Sequence, residues 1–155
     1  MKTLQAMWAV IIASMLPYLE LRGAIPLACR LGLSAPEAFV ISVAGNMLPV
    51  IPIMMLIDPV SKWLDHIPLF HRFFNSLFTR CRRRQAEVNK YGFWGLAVFV
   101  AIPLPMTGAW SGAVIAFLMG MRKRIAFFSI LLGVMVAGMV VTFLTYGLAH
   151  VLSGG

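Results

Sequence analysis

The sequence predicts an all-α integral membrane protein with two inverted repeats, each a re-entrant helical hairpin followed by a transmembrane helix, plus an amphipathic interfacial helix. Three observations predict this fold: a strongly apolar composition, an alternation of interrupted and intact apolar blocks, and the placement of the positive charges. We expect one membrane domain over residues 1–155. Repeat one covers about 5–57, an amphipathic basic linker covers 58–91, and repeat two covers about 92–150.

The composition excludes an ordinary soluble domain. Hydrophobic residues make up 61% of the chain and charged residues 12%, with a mean hydropathy of +0.89, whereas soluble domains are about 45–50% apolar and about 25% charged. The net charge of +8 would suggest nucleic acid in a soluble protein. Here the arginines flank apolar blocks, which favours control of topology and contact with anionic headgroups, so no nucleic-acid partner is expected.

The first apolar block, residues 5–33, is interrupted by five residues that a simple transmembrane helix avoids: Pro17, Glu20, Arg22, Gly23 and Pro26. A helix that crosses a hydrocarbon core of ~30 Å needs roughly 20 apolar residues, and proline disrupts a helix interior. We therefore expect a hairpin that turns between Pro17 and Pro26, with a single bent span as the alternative. No small-residue cleavage site precedes Pro17, so this block is expected to remain in the mature protein.

The second block, residues 37–57, is long enough to span, although Pro49 and Pro52 should kink its end. After it, apolar and polar pairs alternate with helical periodicity over residues 69–80, which predicts an amphipathic helix in the membrane interface. A solvated helix that packs on the bundle is the alternative. The arginine cluster at 80–84 predicts a cytoplasmic anchor.

The third block, residues 92–119, has basic residues before and after it, so both of its ends should be cytoplasmic. It must then enter and leave the membrane on the same side. The turn should lie in "IPLPMTGAWSG" (102–112), which contains two helix-breaking prolines and two glycines that allow tight turning: Pro103, Pro105, Gly108 and Gly112. The fourth block, residues 125–150, is intact and should cross in the opposite direction to the second.

The two halves also share residues at a constant offset of 88. Seven identities occur when residues 17–47 are laid on 105–135, among them Gly32 on Gly120 and Gly45 on Gly133. Each half is an interrupted block followed by an intact one. Broken helices in inverted repeats are typical of secondary transporters, whose substrate site lies between the repeats near the membrane midplane.

Glu20 and Arg22 are the residues best suited to a chemical role. Ionisable groups at membrane depth need protein or water around them, and each costs roughly 2.5–3.5 kcal/mol on insertion scales. An extended backbone, which the prolines favour, would put both side chains on one face. Arg22 suits an anionic group, and Glu20 is predicted to couple to protons, although burial and Arg22 act on its protonation in opposite senses. A static ion pair is the alternative.

The second hairpin offers neutral groups. Thr107, Trp110 and Ser111 carry hydroxyl and indole groups, and helix N-termini near Gly108 and Gly112 would present backbone N–H groups to an anion. We predict that Thr107, Gly108, Trp110 and Ser111 bind substrate together with Arg22. Alternatively, the Thr107 and Ser111 hydroxyls only satisfy backbone carbonyls that the turn leaves unpaired.

Other polar residues carry weaker expectations. Asn46, alone in the second block, should form an interhelical hydrogen bond. The histidines, cysteines and methionines show no metal-ligand spacing, so neither a metal site nor a cofactor is expected. Because no nucleophile–base pair or phosphate-binding loop occurs, we do not expect an enzyme.

Two motifs, "ELRGAIPLA" (20–28) and "PLPMTGAWSGA" (103–113), resemble the putative small multidrug export protein family and, more distantly, the DedA/VTT superfamily. The resemblance covers nearly the whole chain and implies two facing re-entrant hairpins with flanking transmembrane helices. In the wider superfamily, members are linked to flipping of polyisoprenyl phosphate or phospholipid, often with proton coupling, and the implicated acid and arginine correspond to Glu20 and Arg22. Unlike that superfamily, this chain lacks charge in the second hairpin.

Together these features predict a multi-pass transporter of the bacterial inner (cytoplasmic) membrane that flips an anionic lipid such as a polyisoprenyl phosphate carrier. Arg22 and the backbone of the second hairpin would hold the phosphate. The alternatives are a proton-coupled exporter of cationic amphiphilic drugs, with Glu20 as receptor, and a non-transporting membrane organiser. Expected partners are membrane lipids, the lipid phosphate and a second copy in a homodimer packed at Gly133 and Gly138.

Overall fold

The computed structural model describes residues 2–64, 85–102 and 108–153, and over these ranges the chain forms seven helices and no strand. The helices are α1 Lys2–Met15, α2 Glu20–Arg30, α3 Ala35–Met47, α4 Val50–Leu64, α5 Gln85–Ala101, α6 Ala109–Leu118 and α7 Lys123–Ser153. The predicted amphipathic helix at 69–80 lies outside the described residues, as do Pro103, Pro105 and Thr107.

The first apolar block folds back on itself at residues 16–19, so that α1 and α2 pack against each other and both pack against α3. Pro17 lies in this connection, as predicted. Gly23 and Pro26 were expected in the turn, but both lie inside α2. The Gly23 N–H bonds the Leu19 carbonyl at 2.8 Å, and Pro26 is accommodated because it costs the helix only one donor and a local distortion.

The expectation of extended backbone at the charged pair was wrong. Glu20 begins α2 and Arg22 lies in its first turn. An acidic side chain in the first turn suits the positive end of the helix dipole.

The second apolar block forms α3 and α4, which are separated at Leu48–Pro49. The start of α3 is defined by a capping box, in which the Ser34 N–H donates to Glu37 Oε2 at 2.9 Å. The break at its other end fits the predicted effect of Pro49, which has no N–H to donate. Residues 35–57 together are long and apolar enough to cross a membrane.

The third apolar block is interrupted where predicted, since α5 ends at Ala101 and α6 begins at Ala109. Gly112, expected in the turn, lies inside α6. A Cβ at this position would come within 2.7 Å of Val100 Cγ2. The missing side chain therefore lets α6 approach α5, and α6 also packs on α4 and α7.

The long helix α7 is the second segment, within the described residues, that is apolar enough to span a membrane. It crosses α5 closely, because a Cβ on Gly133 would lie 2.6 Å from the Ala97 carbonyl oxygen. Gly138 likewise faces Phe39 and Val43 of α3. Both glycines are buried against helices of the same chain, and the homodimer stays a prediction.

The outer faces of the helices are apolar. Trp8 on α1, Trp94 on α5 and Phe143 on α7 expose more than half of their side chains, up to 80% at Phe143. The buried core between the helices holds Ile25, Leu96, Ile130 and Val134. An apolar core inside an apolar exterior is suited to a lipid environment.

The helices α2 and α6 end in the same way. Gly32 and Gly120 both adopt positive φ, at 79° and 65°. The Leu33 N–H reaches the Ala28 carbonyl at 3.0 Å, and the Met121 N–H reaches the Ala116 carbonyl at 3.0 Å. These are matching Schellman caps at positions 88 residues apart, each followed by an apolar helix.

Candidate functional site

The Glu20 carboxylate lies against the N-terminus of α6. Gly108 is the N-cap residue of α6 and has no side chain to cap it, while the backbone N–H of Trp110 donates to Glu20. A Cβ built on Gly108 would overlap the Glu20 carboxylate. Glu20, only 8% exposed, therefore provides from α2 the cap that α6 lacks.

Glu20 reaches this position through an unusual backbone conformation. Its φ is +43°, and it is the one non-glycine residue of the described chain with positive φ. Such a conformation costs a side-chain-bearing residue about 1–3 kcal/mol and persists where the surroundings enforce it. At Glu20 it brings two helix N-termini, those of α2 and α6, to one carboxylate.

Arg22 accompanies the acid. The two side chains interact electrostatically and line the same small cavity, of about 10 Å³. This volume is close to the minimum that holds one water molecule. The buried acid is thus matched by one full positive charge and by the partial positive charge of a helix terminus.

Asn46 of α3 lines this cavity as well, and the sequence did not identify it as part of the site. It is 1% exposed, and its Oδ1 has no hydrogen-bond partner in the part of the chain that the structure describes. Asn46 was expected to form an interhelical hydrogen bond, and its Oδ1 contributes none among the described residues. One signal was available in the sequence: Ser42, one turn earlier on the same face of α3, is also polar. Its side chain is fully buried, and its Oγ has no hydrogen-bond partner among the described residues.

The remaining predicted binding residues have other contacts. Trp110 Nε1 donates to the Met15 carbonyl at 3.1 Å, which joins α6 to the end of α1. Ser111 Oγ donates to the Gly108 carbonyl at 3.1 Å, which agrees with the alternative that this hydroxyl satisfies a backbone group. Thr107 lies outside the described residues.

The Glu20 carboxylate is thus held by groups that favour negative charge. Helix N-termini and arginine both favour negative charge, and here both act on the Glu20 carboxylate. An external anion that used these groups would have to displace Glu20. Protonation would remove the negative charge of Glu20 and would weaken its interactions with Arg22 and with the N-terminus of α6.

The family model described as putative small multi-drug export protein matches residues 20–140. The matched segment contains Glu20, Arg22, Asn46 and Trp110, and it covers well over half of the chain. The chain therefore belongs to this family. Comparisons with curated proteins and with solved structures give no significant match, and the more distant resemblance to the DedA/VTT superfamily stays a prediction.

Proposed function

We propose that this member of the family is a transporter of the bacterial inner membrane that moves an anionic lipid, such as a polyisoprenyl phosphate carrier, across the bilayer. One observation carries the proposal: the Glu20 carboxylate occupies a site that Arg22 and the N-terminus of α6 make attractive to any anion. A lipid phosphate has the charge and the acceptor oxygens to take its place.

We also propose that the protein consists of two inverted repeats with re-entrant hairpins. The matching caps after α2 and α6 support this, as do the equivalent packings of α1 on α3 and of α5 on α7. Glu20 and Gly108 are repeat-equivalent at the offset of 88, and they touch. Two equivalent positions in contact are expected where a pseudo-two-fold axis passes between repeats, which is where transporters of this kind bind substrate.

Proton coupling would follow from competition at this site. While Glu20 is ionised, its carboxylate holds Trp110 N–H and offsets the charge of Arg22. When Glu20 takes up a proton, both groups become available to a phosphate. Proton binding and phosphate binding therefore favour each other, and a proton gradient drives lipid movement in the same direction.

A second candidate function is export of cationic amphiphiles. It is favoured by Asn46 Oδ1, which lines the same cavity as Glu20 and has no hydrogen-bond partner within the described ranges. Both side chains offer acceptor oxygens, and an ammonium group is a donor. The family description also names multi-drug export. In this version Glu20 is the receptor and Arg22 hinders binding.

Transport in reconstituted vesicles separates the two candidates. Purified protein is placed in liposomes, and movement of a fluorescent polyisoprenyl phosphate and of a fluorescent lipophilic cation is recorded in parallel. We expect Arg22→Ala to reduce lipid phosphate transport at least tenfold. A tenfold change in affinity corresponds to about 1.4 kcal/mol, which loss of one charge-assisted contact readily accounts for.

The matched control is Arg30→Ala, which removes the same side chain from the exposed end of α2. It should leave lipid phosphate transport unchanged. Cation transport that persists or increases in Arg22→Ala, with no lipid phosphate transport by the unmodified protein, would favour the second candidate and contradict the first.

A further inference from the structure

The cavity beside Glu20 is lined by few polar side chains. Within the described residues these are the side chains of Glu20, Arg22 and Asn46. The other residues that line it are aliphatic or glycine: Leu21, Val100, Gly108, Ala109, Val134 and Ala137. Its volume of about 10 Å³ is near the minimum for one water molecule, so the polar groups around it are close neighbours.

The three polar groups differ in what they can donate and accept. The Arg22 guanidinium has donors and no acceptor, and the ionised Glu20 carboxylate has acceptors and no donor. The Asn46 amide has both, and its Oδ1 is a buried acceptor without a donor among the described residues. Because the Asn46 side chain is 1% exposed, bulk water does not supply that donor, and a buried acceptor without one is destabilising.

Protonation of Glu20 would create a donor beside this acceptor. A proton taken up from the aqueous phase converts the carboxylate into a carboxylic acid, whose O–H donates. Arg22 and the backbone N–H groups at the start of α6 are themselves donors, so they cannot accept a hydrogen bond from this O–H. Among the side chains that line the cavity, Asn46 supplies the one neutral acceptor oxygen.

We propose that Asn46 positions Glu20 in its protonated form: the carboxyl O–H donates to Asn46 Oδ1, and the carboxyl leaves the N-terminus of α6. This inference rests on the proton coupling in the proposed function, and it names the group that receives the acid once its charge is lost. The ionised carboxylate is held by the Trp110 N–H and by Arg22. Glu20 therefore alternates between α6 and α3, and its proton decides which of the two helices it contacts.

The groups around Glu20 act on its protonation in opposite senses. Arg22, on the same helix, is the charged side chain that interacts with Glu20, and it favours the ionised carboxylate. Within the described chain, the parts of α3, α5, α6 and α7 that line the cavity carry no titratable side chain. Asn46 opposes Arg22, because a hydrogen bond made by the neutral acid favours the neutral acid.

Infrared difference spectroscopy of the purified protein in liposomes tests this hydrogen bond. Difference spectra between acidic and neutral buffer show the C=O stretch of each carboxyl that takes up a proton, and the band that is lost in Glu20→Gln belongs to Glu20. We expect Asn46→Val to move this band to higher frequency, because the carboxyl loses its hydrogen-bond acceptor. The midpoint of its pH titration should fall by about one pH unit, which is a tenfold loss of proton affinity.

The matched control is Ser42→Ala. Ser42 also lies on α3 and is buried with an Oγ that has no partner in the described ranges, but it is not among the residues that line the cavity. Its substitution should change neither the frequency nor the midpoint of the Glu20 band. A second measurement needs no substitution at the site: in protein whose asparagines carry ¹³C at the side-chain carbonyl, one amide band should shift together with the Glu20 band on acidification.

Three results would overturn the inference: a Glu20 band that keeps its frequency in Asn46→Val, a midpoint that stays or rises in that variant, or asparagine bands that ignore acidification. A higher midpoint would mean that the amide N–H groups stabilise the ionised carboxylate instead. The proposed function fails separately, because the spectra need no substrate. If the infrared shifts occur but no lipid phosphate moves in vesicles, the transport proposal is wrong and the Glu20–Asn46 hydrogen bond stands. If lipid transport depends on Arg22 and the shifts do not occur, only this hydrogen bond is wrong.

Discussion

Residues 20–47 and 108–135 have a common backbone plan but different chemistry. In both, a short helix ends at a left-handed glycine and a longer apolar helix follows. The charged pair of the first, Glu20 and Arg22, corresponds to Gly108 and Trp110 in the second. The two segments thus share a backbone plan but differ in their polar groups. The first supplies the charges, and the second supplies the space at Gly108 and the Trp110 N–H that receive the Glu20 carboxylate.

The dependence of Glu20 on Gly108 gives the largest expected effect. Gly108 has an ordinary extended backbone, with φ −101° and ψ −163°, so alanine is strained there only through its contact with Glu20. We expect Gly108→Ala to lower the free energy of unfolding by about 2–4 kcal/mol, from overpacking and a lost cap, and to abolish transport. Thermal unfolding in detergent measures the first effect.

A double variant isolates the cause. Glu20→Gly removes the carboxylate and suits the positive φ at position 20. In that background, Gly108→Ala should cost less than about 1 kcal/mol, the usual effect of an uncomplicated substitution. An undiminished loss would mean that Glu20 does not occupy the space in front of Gly108.

Alanine substitution at Gly45 and at Gly133, which are 88 residues apart, should lower the free energy of unfolding by similar amounts. A Cβ on Gly45 would meet Ser14 Oγ and would lie 3.1 Å from the Ile11 carbonyl oxygen, and one on Gly133 would lie 2.6 Å from the Ala97 carbonyl oxygen. We expect each alanine variant to lose about 1–3 kcal/mol of unfolding free energy. Gly95→Ala, into open space, should lose nothing; a loss at only one of the paired positions would contradict equivalent packing in the two halves.

Substitution of Asn46 should change the free energy of unfolding and lipid transport in opposite directions. Its Oδ1 is buried and unpaired within the described residues, so Asn46→Val should raise the free energy of unfolding by about 1 kcal/mol. Lipid transport should nevertheless fall at least tenfold in vesicles. Ser42→Ala, one turn away, is the control for a lost polar group and should retain transport; a fully active Asn46→Val protein would remove Asn46 from the site.

The smallest expected effect on stability comes from the hydrogen bond by which Trp110 joins the two halves of the chain. Trp110→Phe keeps an aromatic ring but removes the hydrogen bond to the Met15 carbonyl, which should cost about 1 kcal/mol. Trp94→Phe makes the same change at an exposed position and should be neutral. Equal thermal unfolding midpoints for the two variants would show that this hydrogen bond adds no stability.

Much of the helix order could be predicted from local signals. The break at 16–19, the end of α5 at Ala101 and the start of α6 at Ala109 follow from nearby prolines and glycines in the sequence. The start of α3 follows from the capping box of Ser34 and Glu37. The placement of Pro26 could not be foreseen, because a proline signals distortion without deciding between a turn and a tolerated helical position. The same uncertainty made the charged pair look extended, whereas Glu20 has a positive φ at the first residue of α2 and Arg22 lies in the first turn.

Only part of the candidate site could be predicted from the sequence. Glu20 and Arg22 stand out because charge is rare in apolar blocks. Their relation to Gly108 and Asn46 depends on how α2, α3 and α6 pack, and no local pattern encodes that packing. Gly133 and Gly138 show the same limit, since small residues predict a close helix contact but not whether the partner helix belongs to the same chain.

The most direct test of the inverted arrangement is the sidedness of three engineered cysteines. In a protein whose native Cys29 and Cys81 are replaced by serine, single cysteines at Ser34, Asn89 and Arg122 are labelled in oriented vesicles with a membrane-impermeant maleimide. We expect positions 89 and 122 to react from one side and position 34 from the other. Labelling of 89 and 122 from opposite sides would contradict it, because residues 92–119 would then cross the membrane once and could not meet α2 as a re-entrant hairpin.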